Sequence, residues 1–187
     1  VTSVFVGHAL GQLVYGPVSD TYGRKRSIFV GLGIFCVGSL ISVWANSLEM
    51  MLVGRFLQGF GASGPRVMVV ALVRDSFSGA AMARIMSFAM TLFMAVPIMA
   101  PLLGQGILLV GPWSWIFGFY VMFAVIMFTW VYLRLDETLK PENRLSLHPK
   151  KLWHTMLRVL LNPIAAGYSI VAGLGFGAFL GYLSSSQ

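Results

Sequence analysis

Six long apolar runs separated by short polar turns constrain this chain more than any other feature. They cover Val1 to Ser19, Ser27 to Ala45, Leu48 to Val73, Ala83 to Val110, Trp113 to Leu133 and Pro163 to Tyr182. A helix needs about 20 apolar residues to cross the hydrocarbon layer of a bilayer, and the runs match that length or exceed it. The third and fourth are long enough to tilt, bend or project beyond the bilayer. Strands of a membrane barrel would show short alternating segments instead. Hydrophobic residues make up 57% of the chain and charged residues 10%, with a mean hydropathy of +0.81, whereas a soluble domain is roughly a quarter charged. A chain of this size cannot hide so much apolar surface in one core. The prediction is an all-α membrane protein, with lipid as part of its solvent.

The charges give the threading. Of the 13 Lys and Arg, all but Arg55 and Arg66 lie in alternate connections: Arg24, Lys25 and Arg26; then Arg74 and Arg84; then Arg134, Lys140, Arg144, Lys150, Lys151 and Arg158. The turns at Asn46-Ser47 and Gly111-Pro112 carry none. The basic side is therefore expected to be cytoplasmic, with the first run passing inward. The net charge of +7 follows from this placement. No nucleic-acid partner is expected, since no compact basic face with stacking aromatics is present. A single cysteine, Cys36, excludes an intrachain disulfide and a multi-cysteine metal site. Val1 falls inside one apolar run and Gln187 follows another, so the chain is expected to be part of a longer protein. If the native N-terminus is cytoplasmic, at least one helix precedes Val1.

Residues 134–162 read as a cytoplasmic linker. Within it, Leu152, Trp153, Met156, Leu157 and Leu160 fall at helical spacing, opposite Lys150, Lys151, His154 and Arg158. That pattern fits an amphipathic helix on the inner leaflet; the alternative is an extension of the sixth run, interrupted at Pro163.

Four segments carry chemistry. Gly16-Pro17-Val18-Ser19-Asp20-Thr21-Tyr22-Gly23-Arg24-Lys25-Arg26 ends one helix, turns at Gly23 and supplies an Asp with three cations. Gly16 is expected to let another helix approach closely, and Gly23 to permit a tight turn. Asp20 can pair with Arg24 or receive hydrogen bonds at a neighbouring helix N-terminus. A plain topogenic loop would need neither Asp nor Gly at set positions. In the third run, Arg55 of Arg55-Phe56-Leu57-Gln58-Gly59-Phe60-Gly61-Ala62 is costly in lipid unless it faces a polar cavity or partners; the alternative is snorkelling to the outer interface. The fourth run holds Pro97, Pro101 and Gly104, and the prolines should bend it, with or without a functional role. Val73-Arg74-Asp75 closes the third run and Leu135-Asp136-Glu137-Thr138-Leu139 follows the fifth.

These segments resemble motifs of the major facilitator superfamily. Gly16, Ser19, Asp20, Gly23, Arg24 and Lys25 match its signature loop between helices two and three, with Thr21 in place of a basic residue. Arg55 with Gln58-Gly59 looks like the fourth-helix motif of proton antiporters, and Pro101 with Gly104 partly matches that of helix five. Arg74-Asp75 and Gly11 to Pro17 are similar to the bicyclomycin-resistance type of multidrug exporter. The resemblance orders the six runs as helices two to seven of an expected twelve. It divides the chain into 1–133, helices two to six of the N-terminal bundle; 134–162, the linker; and 163–187, the first helix of the C-terminal bundle.

The resemblance implies proton-coupled efflux of small amphipathic compounds by alternating access, with no cofactor beyond the proton gradient. It implies a monomer in the bacterial inner membrane, and no enzymatic activity. Arg55 would serve proton coupling, and Asp20, Arg24 and Asp75 a cytoplasmic latch. Gln12, Tyr15, Gln58, Met90 and Met94 form the expected cavity set, chosen because Gln offers directional hydrogen bonds and Met adapts to varied apolar shapes. Two other readings keep most of these motifs: export of a natural metabolite, such as an amino acid or sugar derivative, and a truncated, non-transporting membrane fragment. Arg66 has no assigned role; related exporters often place an arginine near Val70 instead. His8 is expected to be neutral and packed or pore-lining. The recurrences Gly7-Gly11 and Gly173-Gly177-Gly181 suggest close helix contacts.

Overall fold

A computed structural model describes residues 2–139 and 161–185. It contains α1 (Thr2–Tyr22), α2 (Arg24–Val43), α3 (Leu48–Ser76), α4 (Gly79–Val110), α5 (Ser114–Arg134) and α6 (Pro163–Ser185). The expected amphipathic helix at 150–160 lies outside the described residues. By length and composition, α2, α3, the 79–96 part of α4 and α5 are apolar enough to cross a membrane. α1 is as long, but Thr2, Ser3, His8, Gln12, Ser19, Asp20 and Thr21 dilute its hydropathy.

Local chemistry sets the boundaries. Ser47 caps α3 by accepting the Met50 amide at 3.2 Å, which relieves one of the unpaired N–H groups at the helix start. Asn162 does the same for α6, its Oδ1 accepting from the Ile164 and Ala165 amides at 3.0 and 3.2 Å, and Pro163 needs no donor partner at the first helical position. α4 is a continuous helical element through both prolines. The largest departure from expectation is between α1 and α2. Asp20 to Tyr22 belong to α1, Arg24 to Arg26 belong to α2, and Gly23 alone makes the turn.

The chain divides into two compact units, Val1–Leu145 and Ser146–Gln187. In the first, α3 packs against α1 and α2, and α2 also packs against α5. Its interior is mostly small and polar groups, with Tyr15, Ile28 and Met68 as its large apolar members. Ser19, Ser27, Ser39, Ser42, Gln58 and Ser63 are buried, while Phe88, Leu102, Leu109 and Trp130 are exposed. That inversion suits lipid, which gives no hydrophobic drive for helix association and leaves packing and hydrogen bonds to do it. The helices meet backbone to backbone. A Cβ on Gly38 would sit 2.6 Å from the Gln58 nitrogen and 2.7 Å from the Gly54 carbonyl oxygen. One on Gly7 would run into the Phe56 carbonyl, and one on Gly11 would lie 2.7 Å from the Phe60 oxygen. The close approach expected at Gly7 and Gly11 is therefore made, against α3. Within the second unit, a Cβ on Gly173 or Gly177 would meet nothing within 4 Å.

Candidate functional site at the turn between α1 and α2

The site is built around the one-residue turn. Gly23 adopts φ 106° and ψ 156°, a region open essentially to glycine alone. This lets α2 begin at once, but it leaves the helix without a capping side chain. The acceptor comes from far along the chain. Glu137, in the loop after α5, takes the Arg24 amide at 2.8 Å and the Lys25 amide at 3.2 Å, and its Oε1 also accepts the Leu139 amide at 3.2 Å. A carboxylate at a helix N-terminus satisfies unpaired donors and complements the positive end of the helix dipole.

Arg24 is the hub. Its guanidinium is 9% exposed as a residue and donates to Ser19 Oγ at 2.6 Å, Asp20 Oδ1 at 2.6 Å and Asp75 Oδ2 at 3.0 Å. Asp75 is in the last turn of α3, so one side chain joins α1, α2 and α3. Ser19 in turn donates to the Gly16 carbonyl at 2.8 Å. Lys25 donates to the Tyr132 carbonyl at 3.2 Å, satisfying a terminal acceptor of α5, and lies near the rings of Phe29 and Tyr132. The structure thus brings together Ser19, Asp20, Gly23, Arg24, Lys25 and Asp75. Gly16 sits on the same segment, but a Cβ there would meet nothing within 4 Å.

A second polar chain runs between α3 and α2. Arg55 donates to Gln58 Oε1 at 3.0 Å and lies 5.4 Å from the Phe117 ring of α5. Gln58, buried at 3% exposure, donates to Ser39 Oγ of α2 at 2.8 Å. These contacts turn Gln58 toward α2. Tyr15 is also interior, packed with Ile28 and Met68 and against Phe60. Gln12 instead lines an open pocket between α1 and α3, and Met90 and Met94 are exposed on α4. The expected cavity set is therefore spread over three environments. Pro101 is exposed, a Cβ on Gly104 would meet nothing within 4 Å, and the Pro97 side chain lies outside the described residues.

Sequence reasoning missed the capping role of Glu137 and the pairing of Gln58 with Ser39. The first had a usable signal: a helix starting directly after Gly23 needs an outside acceptor, and Glu137 is a carboxylate in a loop on the same side of the membrane. The second had none, because Ser39 sits in an unbroken apolar run.

The family profile described as Major Facilitator Superfamily matches residues 1–186. An MFS-type transporter of Bacillus subtilis, YdgK, is 32% identical over 188 residues, covering 100% of this chain and 47% of its own length. The Bicyclomycin resistance protein homolog of Haemophilus influenzae is 31% identical over 187 residues, covering 100% and 47%. Multidrug resistance protein MdtL of Klebsiella pneumoniae is 31% identical over 182 residues, covering 96% and 45%. The chain spans about half the length of the curated relatives it matches. With its apolar helices and this match over nearly its whole length, the chain belongs to the Major Facilitator Superfamily of membrane transporters and is a multi-pass protein of the inner membrane.

Proposed function

We propose that the full protein is a proton-coupled exporter of small amphipathic compounds that works by alternating access, and that this chain supplies most of its N-terminal bundle. The observation that carries the reading is the hub at the turn between α1 and α2. One buried arginine ties three helices, and a distant carboxylate closes on the same turn. Such a node is either made or broken, so cargo and protons that bind the two arrangements unequally can shift it. Asp20, Arg24 and Asp75 are the latch, and Asp20 is more open to a partner helix than Asp75, with a side-chain exposure of 40% against 27%. Arg55 serves proton coupling from within the membrane, where a charge without function is disfavoured. The names of relatives, a Bicyclomycin resistance protein homolog and multidrug transporters, favour drugs and similar amphiphiles as cargo. The energy source is the proton gradient, and the working unit a monomer.

The test uses inverted membrane vesicles containing the full-length protein and a panel of fluorescent amphiphiles. Accumulation should require a proton gradient, collapse with a protonophore, and release protons when cargo is added. Accumulation that persists on ATP alone after the gradient is gone would refute the proposal.

A further inference from the structure

Polar atoms buried without a partner are rare in folded proteins, and each needs a reason. Among the described residues they are His8 Nε2, Tyr15 Oη and Thr138 Oγ1. The first two belong to α1, seven residues apart and so on one side of the helix. That side faces α3: His8 reaches the Gly59 carbonyl, and Tyr15 packs with Phe60 and Met68.

His8 has the more telling geometry. Its Nδ1 lies 3.3 Å from the Gly59 carbonyl oxygen, an atom that only accepts, so the imidazole carries its hydrogen on Nδ1 and presents Nε2 as a bare lone pair. Backbone closes around the ring. A Cβ on Gly7 would run into the Phe56 carbonyl, and one on Gly59 into the Val4 carbonyl. A proton added at Nε2 in this arrangement would make a buried cation whose new N–H has no acceptor. Where the two helices part and water reaches the ring, that obstacle is gone, so protonation and the α1–α3 contact oppose each other.

A proton carrier must release as well as bind. Arginine keeps its proton, so Arg55 can bias such a step without carrying it. Asp20, Glu49, Asp75, Asp136 and Glu137 lie at helix ends or beyond α5, and Glu142, His148 and His154 fall outside the described residues. Of the charged groups on the helices packed against α1, Arg66 of α3 acts on the ring and Arg55 of α3 is bonded to Gln58; α2 carries no charge between positions 27 and 43.

We propose that His8 Nε2 is a proton-binding site of the transport cycle, empty while α1 is closed on α3 and filled when that contact opens. The inference rests on the proton-coupled export reading and names a residue that carries the proton. The proton comes from water, occupies the Nε2 lone pair and returns to water as the helices close, with Nδ1–H unchanged throughout.

The experiment has two arms, both on the full-length protein. In the first, each histidine but His8 is replaced by Asn, and nitrogen-15 NMR follows the remaining ring in lipid. The expected result is a neutral Nδ1–H form that converts to the cation between about pH 8 and pH 5. A ring that stays neutral throughout, or one that carries its hydrogen on Nε2 when neutral, overturns the inference. In the second, ethidium accumulation by inverted vesicles is compared with ethidium binding to the purified protein without a gradient. His8→Asn keeps an N–H donor for the Gly59 carbonyl and has nothing to titrate. Its gradient-driven rate should fall about tenfold or more, while its binding stays within about twofold of wild type and no longer varies with pH. Equal losses of rate and binding would mark a structural role and overturn the inference, as would a rate and pH profile like those of wild type. If His8→Asn fails to fold, the NMR arm decides alone. Wild-type accumulation that persists without a proton gradient sinks the export reading and this one with it, whereas gradient-dependent accumulation with a His8 that never protonates sinks this inference only.

Discussion

Arg24 makes two ion pairs that look equivalent in distance terms, at 2.6 Å to Asp20 and 3.0 Å to Asp75, yet they should contribute unequally. Asp20 is four residues away across the turn and its side chain is 40% exposed. Pairs of that kind are screened by water and contribute about 0.3–1 kcal/mol. Asp75 comes from another helix and is less exposed, at 27%, against an arginine side chain at 11%. A charge-assisted hydrogen bond there should contribute about 1.5–3 kcal/mol, and removing one partner also strands the other. Double-mutant cycles with Arg24→Gln, Asp20→Asn and Asp75→Asn, read from denaturant unfolding of the full-length protein by tryptophan fluorescence, separate the two. We expect a coupling of about 2 kcal/mol for Arg24 with Asp75 and about 0.5 kcal/mol with Asp20. Equal couplings, or a larger one to Asp20, would refute the idea that the hub ties α3 to the turn.

Three further outcomes follow from the same geometry. Asp20→Asn should reduce transport to background while membrane insertion stays normal, because the residue acts in the latch and contributes little to folding; normal efflux from that variant would count against the latch. Glu137→Ala should cost about 1–2 kcal/mol by uncapping α2, with faster hydrogen exchange at the Arg24 and Lys25 amides, and Glu137→Gln should retain part of the protection. Gly38→Leu should prevent α2 and α3 from closing, since even a Cβ there meets backbone atoms at 2.6 and 2.7 Å; a thermal midpoint unchanged from wild type would contradict the close packing.

The elements of this fold are legible because span length is set by the bilayer, and an apolar run between basic turns has few other readings. The grouping of Asp20, Arg24 and Asp75 was readable for a related reason: they lie at the end of α1, the start of α2 and the end of α3, so up-and-down threading alone brings them to one level. Which way a span faces is another matter. In water an amphipathic stripe marks the buried side, but here the lipid side and the packed side are both apolar. Tyr15 and Gln58 therefore gave no sign in the sequence that they turn inward, Gln58 toward Ser39 and Tyr15 toward Ile28 and Met68. Small residues carry that information instead, as Gly31, Gly38, Gly54 and Gly61 do along the α2–α3 contact. Glu137 lies 113 residues from the amide it caps, so only the need of a helix starting at Gly23 for an outside acceptor pointed to it.

All of the proposed chemistry requires the turn at Gly23 and the end of α3 to share one face of the membrane, with the turn at Asn46 on the other. The direct measurement is labelling of single cysteines, placed at Asn46 or Ser78 in a cysteine-free full-length background, with an impermeant maleimide. The account predicts that Asn46→Cys reacts in intact cells and Ser78→Cys only in inverted vesicles. Reaction of both from the same side would contradict it.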